Sequence, residues 1–402
     1  MRPRILFVSH SASRNGASIL LLHLLEWLRM NTDYELEVLM NGVGDLLEDF
    51  RSICKTRVRR NLTNIVEALP HPCKRFLQPL ATPRYFSWRL PARYDLVYIN
   101  TSAAWRHVPA LSKCALALLW HIHELEYALG RTADRRRMEA LFRLATRVVS
   151  VSQSVSEALM NRFNVPSEKV DLVHGFIPFP AEDSVASVAT RKRIRRSLGW
   201  PDDAYIVGGC GAPGWRKGTD LFAQVARQLS DKCGDTTVGF LWVGGDPGGD
   251  EALRFAHDVD ALGLSSRCRI VPNTPSVGDY YDAMDAFALT SREDPFPLVM
   301  LEAAARELPI VCFEHSGGAP EFVRNDAGLI APYLDISSFA AHLNALRQSS
   351  DLRRTLGSAG ARRVKDRHVV DVQAPHLLRS INHCLSRARC TLQTPGRAFD
   401  CS

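Results

Sequence analysis

The sequence predicts an α/β protein built from two doubly wound domains that face a cleft. Three observations lead there. Short apolar strands alternate with helical stretches from Ile5 to about Val173, and the alternation restarts at Tyr205. Between them, Phe179 to Trp200 breaks the pattern with Pro180, several serines and the basic run Arg191 to Arg196, which reads as a linker plus a charged surface helix. Several strands also end in polar residues, and in open α/β sheets ligands bind outside the carboxyl ends of the strands.

Composition sets the outer limits. At 402 residues the chain is long enough for two separate cores. Its 46% hydrophobic and 23% charged residues place it among folded globular proteins rather than disordered chains. No run of 18 apolar residues exists, and Ile5 to Val8 followed by Ser9-His10-Ser11 reads as a strand, not a secretory signal. The ten cysteines include no Cys-x-x-Cys pair, so reduced thiols and a cytoplasmic location are expected, which leaves the sequons at Asn61 and Asn100 unused. The net charge is +7 but unevenly spread: Arg51 to Arg93 holds ten Lys or Arg against one acid, Glu67, with Phe76, Tyr85, Phe86 and Trp88 interleaved. That stretch suggests peripheral contact with an anionic membrane, a solvated charged loop being the alternative. No recognition-helix, zinc-finger or RNP signature points to nucleic acid.

In the first half, residues 4 to 8 read as a buried parallel strand. Ala17 to Met30 reads as a helix with Leu20, Leu21, Leu24, Leu25 and Leu28 on its apolar face. The polar turn between them, with Asn15 and Gly16, lets a ligand approach the backbone at the positive end of the helix dipole. Glu35 to Met40, Tyr94 to Asn100, Leu116 to Glu124 and Arg147 to Ser152 are further strands, and Val170 to Pro178 closes this half. His10, Asn100, His123 and Glu124 fall at carboxyl strand ends, where a ligand site belongs. His121 and His123 share a strand face, but no third ligand follows at a suitable spacing, so no metal is expected.

In the second half, Tyr205 to Gly211 runs into Ala212 to Gly218 and a helix from Thr219 to Leu229. The loop is not a Walker A loop, because Lys217 is followed by Gly218. Val238 to Val243, Arg269 to Asn273, Ala286 to Leu289, Ile310 to Phe313 and Gly328 to Ile330 are the remaining strands. Helices are expected over Tyr280 to Asp285, Ile336 to Gln348 and Pro375 to Arg387, with a frayed tail over 389–402.

The most informative stretch is Ser291 to Ala305. Residues before proline are extended, so Asp294 and Phe296 precede a helix that starts at Pro297 in the first helical position. The amides of Leu298 and Val299 then point at a phosphate-sized anion. Glu302 lies one turn beyond Leu298, and its carboxylate suits two vicinal hydroxyls such as a ribose offers; a buried helix with a locally paired Glu302 is the competing reading.

Asp294 and Glu302, with seven residues between them, resemble the E-x7-E signature of retaining family 4 glycosyltransferases of the GT-B fold, with Asp in place of the first Glu and Pro297 where a glycine is usual. Ser316-Gly317-Gly318-Ala319-Pro320-Glu321 is similar to the Gly-Gly-x-Pro-Glu segment of the same family. The resemblance implies two Rossmann-like domains, 1–178 on the acceptor side and 179–369 for the donor. It also implies a last helix of about 370–388 that packs back on the first domain. Glu302 would hold the nucleotide ribose, Asp294 would touch the donor sugar, and His123 would sit near the reacting sugar. Gly16 would lie close to the donor phosphate, and Gly317, Gly318 and Glu321 would border the cleft. Lys217 would neutralise the donor diphosphate, with Arg216 substituting for an arginine the family often carries where this chain has Gly211. The implied activity is transfer of a sugar from a nucleotide-diphosphate-sugar to a glycan or lipid-linked acceptor, with no cofactor. A sugar-nucleotide epimerase and a non-catalytic nucleotide-sugar-binding protein are the alternatives. A dinucleotide oxidoreductase is disfavoured, since the first turn lacks Gly-x-Gly-x-x-Gly.

Overall fold

The computed structural model describes residues 2–58, 94–180, 188–233 and 238–393. The chain divides into two units, Met1–His174 with Gln373–Ser402, and Gly175–Val372. The first carries a seven-stranded parallel sheet, β1 (Arg4–Ser9), β2 (Glu35–Met40), β3 (Lys55–Val58), β4 (Tyr94–Asn100), β5 (Ala115–Ile122), β6 (Arg147–Ser150) and β7 (Val170–Leu172), in the order β3-β2-β1-β4-β5-β6-β7. The second carries a six-stranded parallel sheet, β8 (Tyr205–Cys210), β9 (Val238–Val243), β10 (Cys268–Val271), β11 (Ala286–Leu289), β12 (Ile310–Phe313) and β13 (Gly328–Ala331), in the order β10-β9-β8-β11-β12-β13. Each order reverses once, between β1 and β4 and between β8 and β11. Loops leaving adjacent strands part company there and open a crevice.

The apolar strands are buried because helices cover a parallel sheet on both faces, which is why they read as continuous hydrophobic runs. Phe222, Phe240, Trp242 and Phe255 pack edge to face within the second unit's core. Several boundaries differ from expectation. β5 ends at Ile122, so His123 and Glu124 lie beyond the strand, and β7 is only three residues long. The helix Ser350–Arg367 has no counterpart in the sequence pattern because its buried face includes Gly357, Gly360 and Ala361. A Cβ on Gly357 would come within 1.9 Å of the Glu307 carbonyl oxygen, so close approach of backbone, not apolar bulk, seats this helix. The last helix runs over Val370–Gln393, with Pro375 inside it rather than at its start.

The basic stretch from Arg51 to Arg93 lies outside the described residues from position 59 onward. In its described part, Arg51 pairs with Glu48, and Lys55 and Arg57 both pair with the buried Glu37. No helix among the described residues is long and apolar enough to cross a membrane.

The basic run 191–196 is a charged surface only in part. On the helix Val188–Ser197, Lys192, Arg193 and Arg196 are exposed, but Arg195 is 1% exposed. Its guanidinium donates to the carbonyls of Ala283, Asp202 and Ala204 and to Asp285 Oδ2 at 2.7 Å. Arg191, one turn earlier, donates to the Asp282 and Met284 carbonyls and pairs with Asp285. The two arginines therefore bolt this helix to the turn preceding β11. Removing a buried cation strands its partners, so Arg195→Met should lower unfolding free energy by about 3 kcal/mol. Urea unfolding measures this; a loss below about 0.5 kcal/mol, ordinary for a surface substitution, would contradict the bolt.

Candidate functional site

In the second unit the reversal between β8 and β11 gathers three loops. The loop after β8 ends at Gly218, whose φ is +66° and whose Cβ, were there one, would lie 2.1 Å from the Thr290 carbonyl oxygen. Only glycine lets the two loops meet this closely. Thr290 Oγ1 donates to the Gly218 carbonyl at 3.0 Å, and the Arg292 amide donates to the Arg216 carbonyl at 2.9 Å. The third loop, after β12, is joined in turn: the Asp294 amide donates to the Ser316 carbonyl at 2.7 Å, and the Gly318 amide to the Asp294 carbonyl at 3.0 Å. Asp294 and Gly317 form a one-residue parallel bridge, and Gly317 takes φ +114° to do so. The Gly-Gly segment thus lies against the acidic loop, as backbone rather than as side chain.

Asp294 is 5% exposed and ionised. Burial alone would raise its carboxyl, but the Lys217 ammonium, 2.6 Å from Oδ2, outweighs it. Arg216, 3.4 Å from Oδ1, and the Ser291 hydroxyl act the same way, holding the group below its ordinary 3.8. Arg216 also donates to the Glu293 carbonyl at 3.0 Å. Gly211 takes φ +136°, and the Lys217 stem passes 3.1 Å from where its Cβ would stand, so a side chain there would be strained and crowded.

The helix after this loop is Leu298–Ala304, with Pro297 as its N-cap, at ψ 119°, rather than its first helical residue. Proline offers no side-chain acceptor, so the first-turn amides carry no side-chain cap. Leu298 is buried, and the partly open residues are Val299 and Glu302, three apart, so the accessible stripe runs through Val299 instead of Leu298. Glu302 is not sealed in the core. Its Oε2 accepts from the Tyr281 hydroxyl at 2.9 Å. Tyr281 is fully buried on the helix Val277–Ala283, and burial, reinforced by Cys210 and Glu302, pushes its phenol up, so it stays a donor. Sequence reasoning passed over Tyr281, since only the packing of two separate helices brings it to the acid. Glu321 sits on the five-residue helix Ala319–Val323, partly exposed.

In the first unit, the reversal between β1 and β4 places His10, Asn100 and His123 together. Asn100, fully buried at the end of β4, donates from Nδ2 to the Ala17 carbonyl at 3.0 Å, and its Oδ1 lies 2.8 Å from His123 Nε2. The His121 and His123 rings are 4.1 Å apart, and His121 Nδ1 meets the Tyr98 hydroxyl at 2.6 Å. Burial first, then the neighbouring His10, pushes His123 down to about 3, and burial lowers His10 as well. All are neutral imidazoles at pH 7.

Two further expected contact residues make structural hydrogen bonds. Glu124 accepts from the Thr101 hydroxyl and from the amides of Ser102 and His123, so its oxygens hold the chain as it leaves β5; burial raises its carboxyl despite these bonds. Asn15 is the N-cap of the helix Gly16–Asn31, its Oδ1 accepting from the Ser18 amide at 3.0 Å, with Gly16 as the first helical residue.

The comparisons with known proteins agree with the fold. A model of the glycosyl transferases group 1 matches residues 190–363, and a model of glycosyltransferase family 4 matches residues 14–179. The chain is similar to an alpha-galactosylglucosyldiacylglycerol synthase of Streptococcus pneumoniae, 31% identical over 156 residues, which cover 37% of this chain and 38% of that one. A D-inositol 3-phosphate glycosyltransferase of Salinispora arenicola is 29% identical over 233 residues, covering 54% and 50%. The chain thus spans about half or less of the length of these relatives. Among solved structures, Anabaena Alr3699/HepE in complex with UDP and glucose superposes with a TM-score of 0.74 at 19% identity, covering 94% of this chain and 99% of that one. Sucrose-phosphate synthase from Thermosynechococcus elongatus gives 0.75 at 20% identity, covering 96% and 100%.

The charge arrangement has a pH signature. Because the folded-state value of Asp294 lies below 3.8, its stabilisation is complete above that pH and is lost as pH falls through the lower, folded value. Lys217→Met leaves the carboxylate underpaired, and should cost about 3 kcal/mol at pH 7. In thermal melts from pH 7 to 3 the gap to the native protein should narrow as Asp294 takes up a proton. A gap that stays constant with pH would show that Asp294 is not the group Lys217 stabilises.

Proposed function

We propose, for a chain that belongs to glycosyltransferase family 4 and carries its GT-B fold of two Rossmann-like domains, that it moves a sugar from a nucleotide-diphosphate-sugar to a glycan or lipid-linked saccharide with retention at the anomeric carbon. The observation that carries this reading is the buried, ionised Asp294 held between Lys217 and Arg216. Glu302 stands one short helix away, braced by Tyr281. A site made this way presents cations where a diphosphate departs and a carboxylate where vicinal hydroxyls bind.

The hardest part of the reaction is the negative charge that develops on the leaving diphosphate. Lys217 has three donors and gives one to Asp294, so the others serve phosphate oxygens. Arg216, about half exposed, joins it, and the uncapped amides of Leu298 and Val299 add donors alongside. Asp294 keeps the lysine in place between turnovers and faces the donor sugar. Glu302 accepts from the ribose hydroxyls, its carboxylate oriented by the Tyr281 hydroxyl.

The bond between the anomeric carbon and the diphosphate oxygen breaks, and its electron pair stays on that oxygen. The acceptor hydroxyl attacks the same face of an oxocarbenium-like carbon, and its proton passes to a departing phosphate oxygen. The nucleotide sugar is a substrate, and no resident cofactor enters the scheme. UDP in Anabaena Alr3699/HepE and the synthesis of a diacylglycerol glycolipid by the streptococcal relative support a nucleotide-sugar donor and a lipid-linked or glycan acceptor.

The test is incubation with UDP-, GDP- and ADP-sugars, following nucleoside diphosphate release with and without glycan and glycolipid acceptors. Acceptor-dependent release supports transfer. Turnover without acceptor favours the epimerase, and binding without turnover favours a nucleotide-sugar-binding protein. Glu302→Gln should weaken the best donor by about 1.5–3 kcal/mol in calorimetric titration, the usual worth of a charge-assisted hydrogen bond. Unchanged affinity would remove the ribose assignment.

A further inference from the structure

We propose that Asn100 is a positioning residue that fixes which nitrogen of His123 carries the proton. The argument is one of donors and acceptors. The Ala17 carbonyl can only accept, so the Asn100 atom 3.0 Å from it must be the amide nitrogen. Its carbonyl oxygen is then turned the other way, 2.8 Å from His123 Nε2, and because that oxygen cannot donate, Nε2 must bear the hydrogen. Burial keeps the ring uncharged at neutral pH, with His10 beside it adding to the effect. One proton therefore serves two nitrogens, and Nδ1 is left with its lone pair. Nδ1 makes no hydrogen bond to any of the described residues, and the residue is partly exposed.

The placement of Asn100 is over-determined. It is the last residue of β4, and the residue after it, Thr101, is a β-branched side chain at φ +79°, a conformation that needs external support. Glu124 supplies that support through the Thr101 hydroxyl and the Ser102 amide, and Trp120 Nε1 donates to the Thr101 carbonyl at 3.1 Å. The strained turn aims the Asn100 amide between the first turn of the helix Gly16–Asn31 and the His123 ring. A strand end, a helix start and a histidine are thereby locked in one register.

The consequence bears on substrate chemistry and rests on the glycosyl-transfer reading above. A neutral His123 with an open Nδ1 accepts a hydrogen bond and offers none from that nitrogen. A sugar hydroxyl can donate to it, whereas a phosphate oxygen, which only accepts, cannot. Asn100 thus makes His123 a reader of hydroxyl groups.

Long-range ¹H–¹⁵N correlation of ¹⁵N-histidine-labelled protein at pH 7, with His123 assigned by its loss in His123→Gln, reads the tautomer directly. The expected result is Nε2–H in the native protein and in Asn100→Asp, which keeps an acceptor facing the ring. Asn100→Leu should give a mixture of tautomers, with kcat reduced roughly tenfold to a hundredfold, as for loss of a partner that orients a functional histidine. KM for the donor should stay near its native value. A native ring protonated at Nδ1, a native imidazolium, or an unchanged tautomer in Asn100→Leu would overturn the proposal. If Asn100→Leu does not fold, the native and Asn100→Asp spectra decide. If the spectra are as expected but no nucleotide sugar is consumed, the transfer reading fails and the tautomer assignment stands.

Discussion

The charge on Asp294 is the constraint around which the second unit is arranged. An ionised carboxylate taken out of water loses several kcal/mol unless cations and donors replace the lost hydration. Here Lys217, Arg216 and Ser291 do so. To bring them within reach, three loops from the carboxyl edge of the sheet must run side by side, and main-chain hydrogen bonds between Arg292 and Arg216 and between Asp294 and Ser316 hold them there. Gly211, Gly218 and Gly317 take positive φ in this crowded backbone, where any other residue would be strained or would collide. The glycines, the ion pair and the loop register are one device seen at three scales.

The first unit solves a different problem at its own reversal point. His10, His121 and His123 are gathered into a poorly hydrated space, and each loses affinity for its second proton because an imidazolium there would be underpaired. Neutrality makes tautomer identity matter, since a neutral ring donates at one nitrogen and accepts at the other. Asn100 is the neighbour that makes the choice for His123, because its oxygen can only accept. Where the second unit keeps a buried charge by pairing it, the three histidines of the first stay uncharged.

Much of this was legible in the chain itself. β2, β4, β9, β11 and β12 stand where the hydrophobic runs put them, and the last three are buried along their whole length, with no polar face to blur their limits. The turn into the helix at Leu298 followed from Pro295 and Pro297. Other features were illegible for identifiable reasons. The helix Ser350–Arg367 buries Gly357, Gly360 and Ala361 beside Leu356 and Val364, so its hydrophobic period is faint. Arg195 lies in a basic run that looks solvated, yet its partners are carbonyls 7 to 88 positions away and a carboxylate 90 away, a pairing no local pattern announces. The hydrogen bonds that Glu124 makes to Thr101 and Ser102, more than 20 positions away, were equally invisible in the sequence.

Sequence alone determined the α/β class, the two-unit organisation and the family, since strand hydrophobicity, proline and glycine positions and the spacing of Asp294 and Glu302 are local properties written into neighbouring residues. Tertiary structure decided which charges are partners, that Tyr281 braces Glu302, and which way the Asn100 amide faces. Those outcomes depend on the order in which strands line up in each sheet. Strand order is set by packing across the whole unit, where residues distant in the chain share one crevice and compete for the same few donors and acceptors.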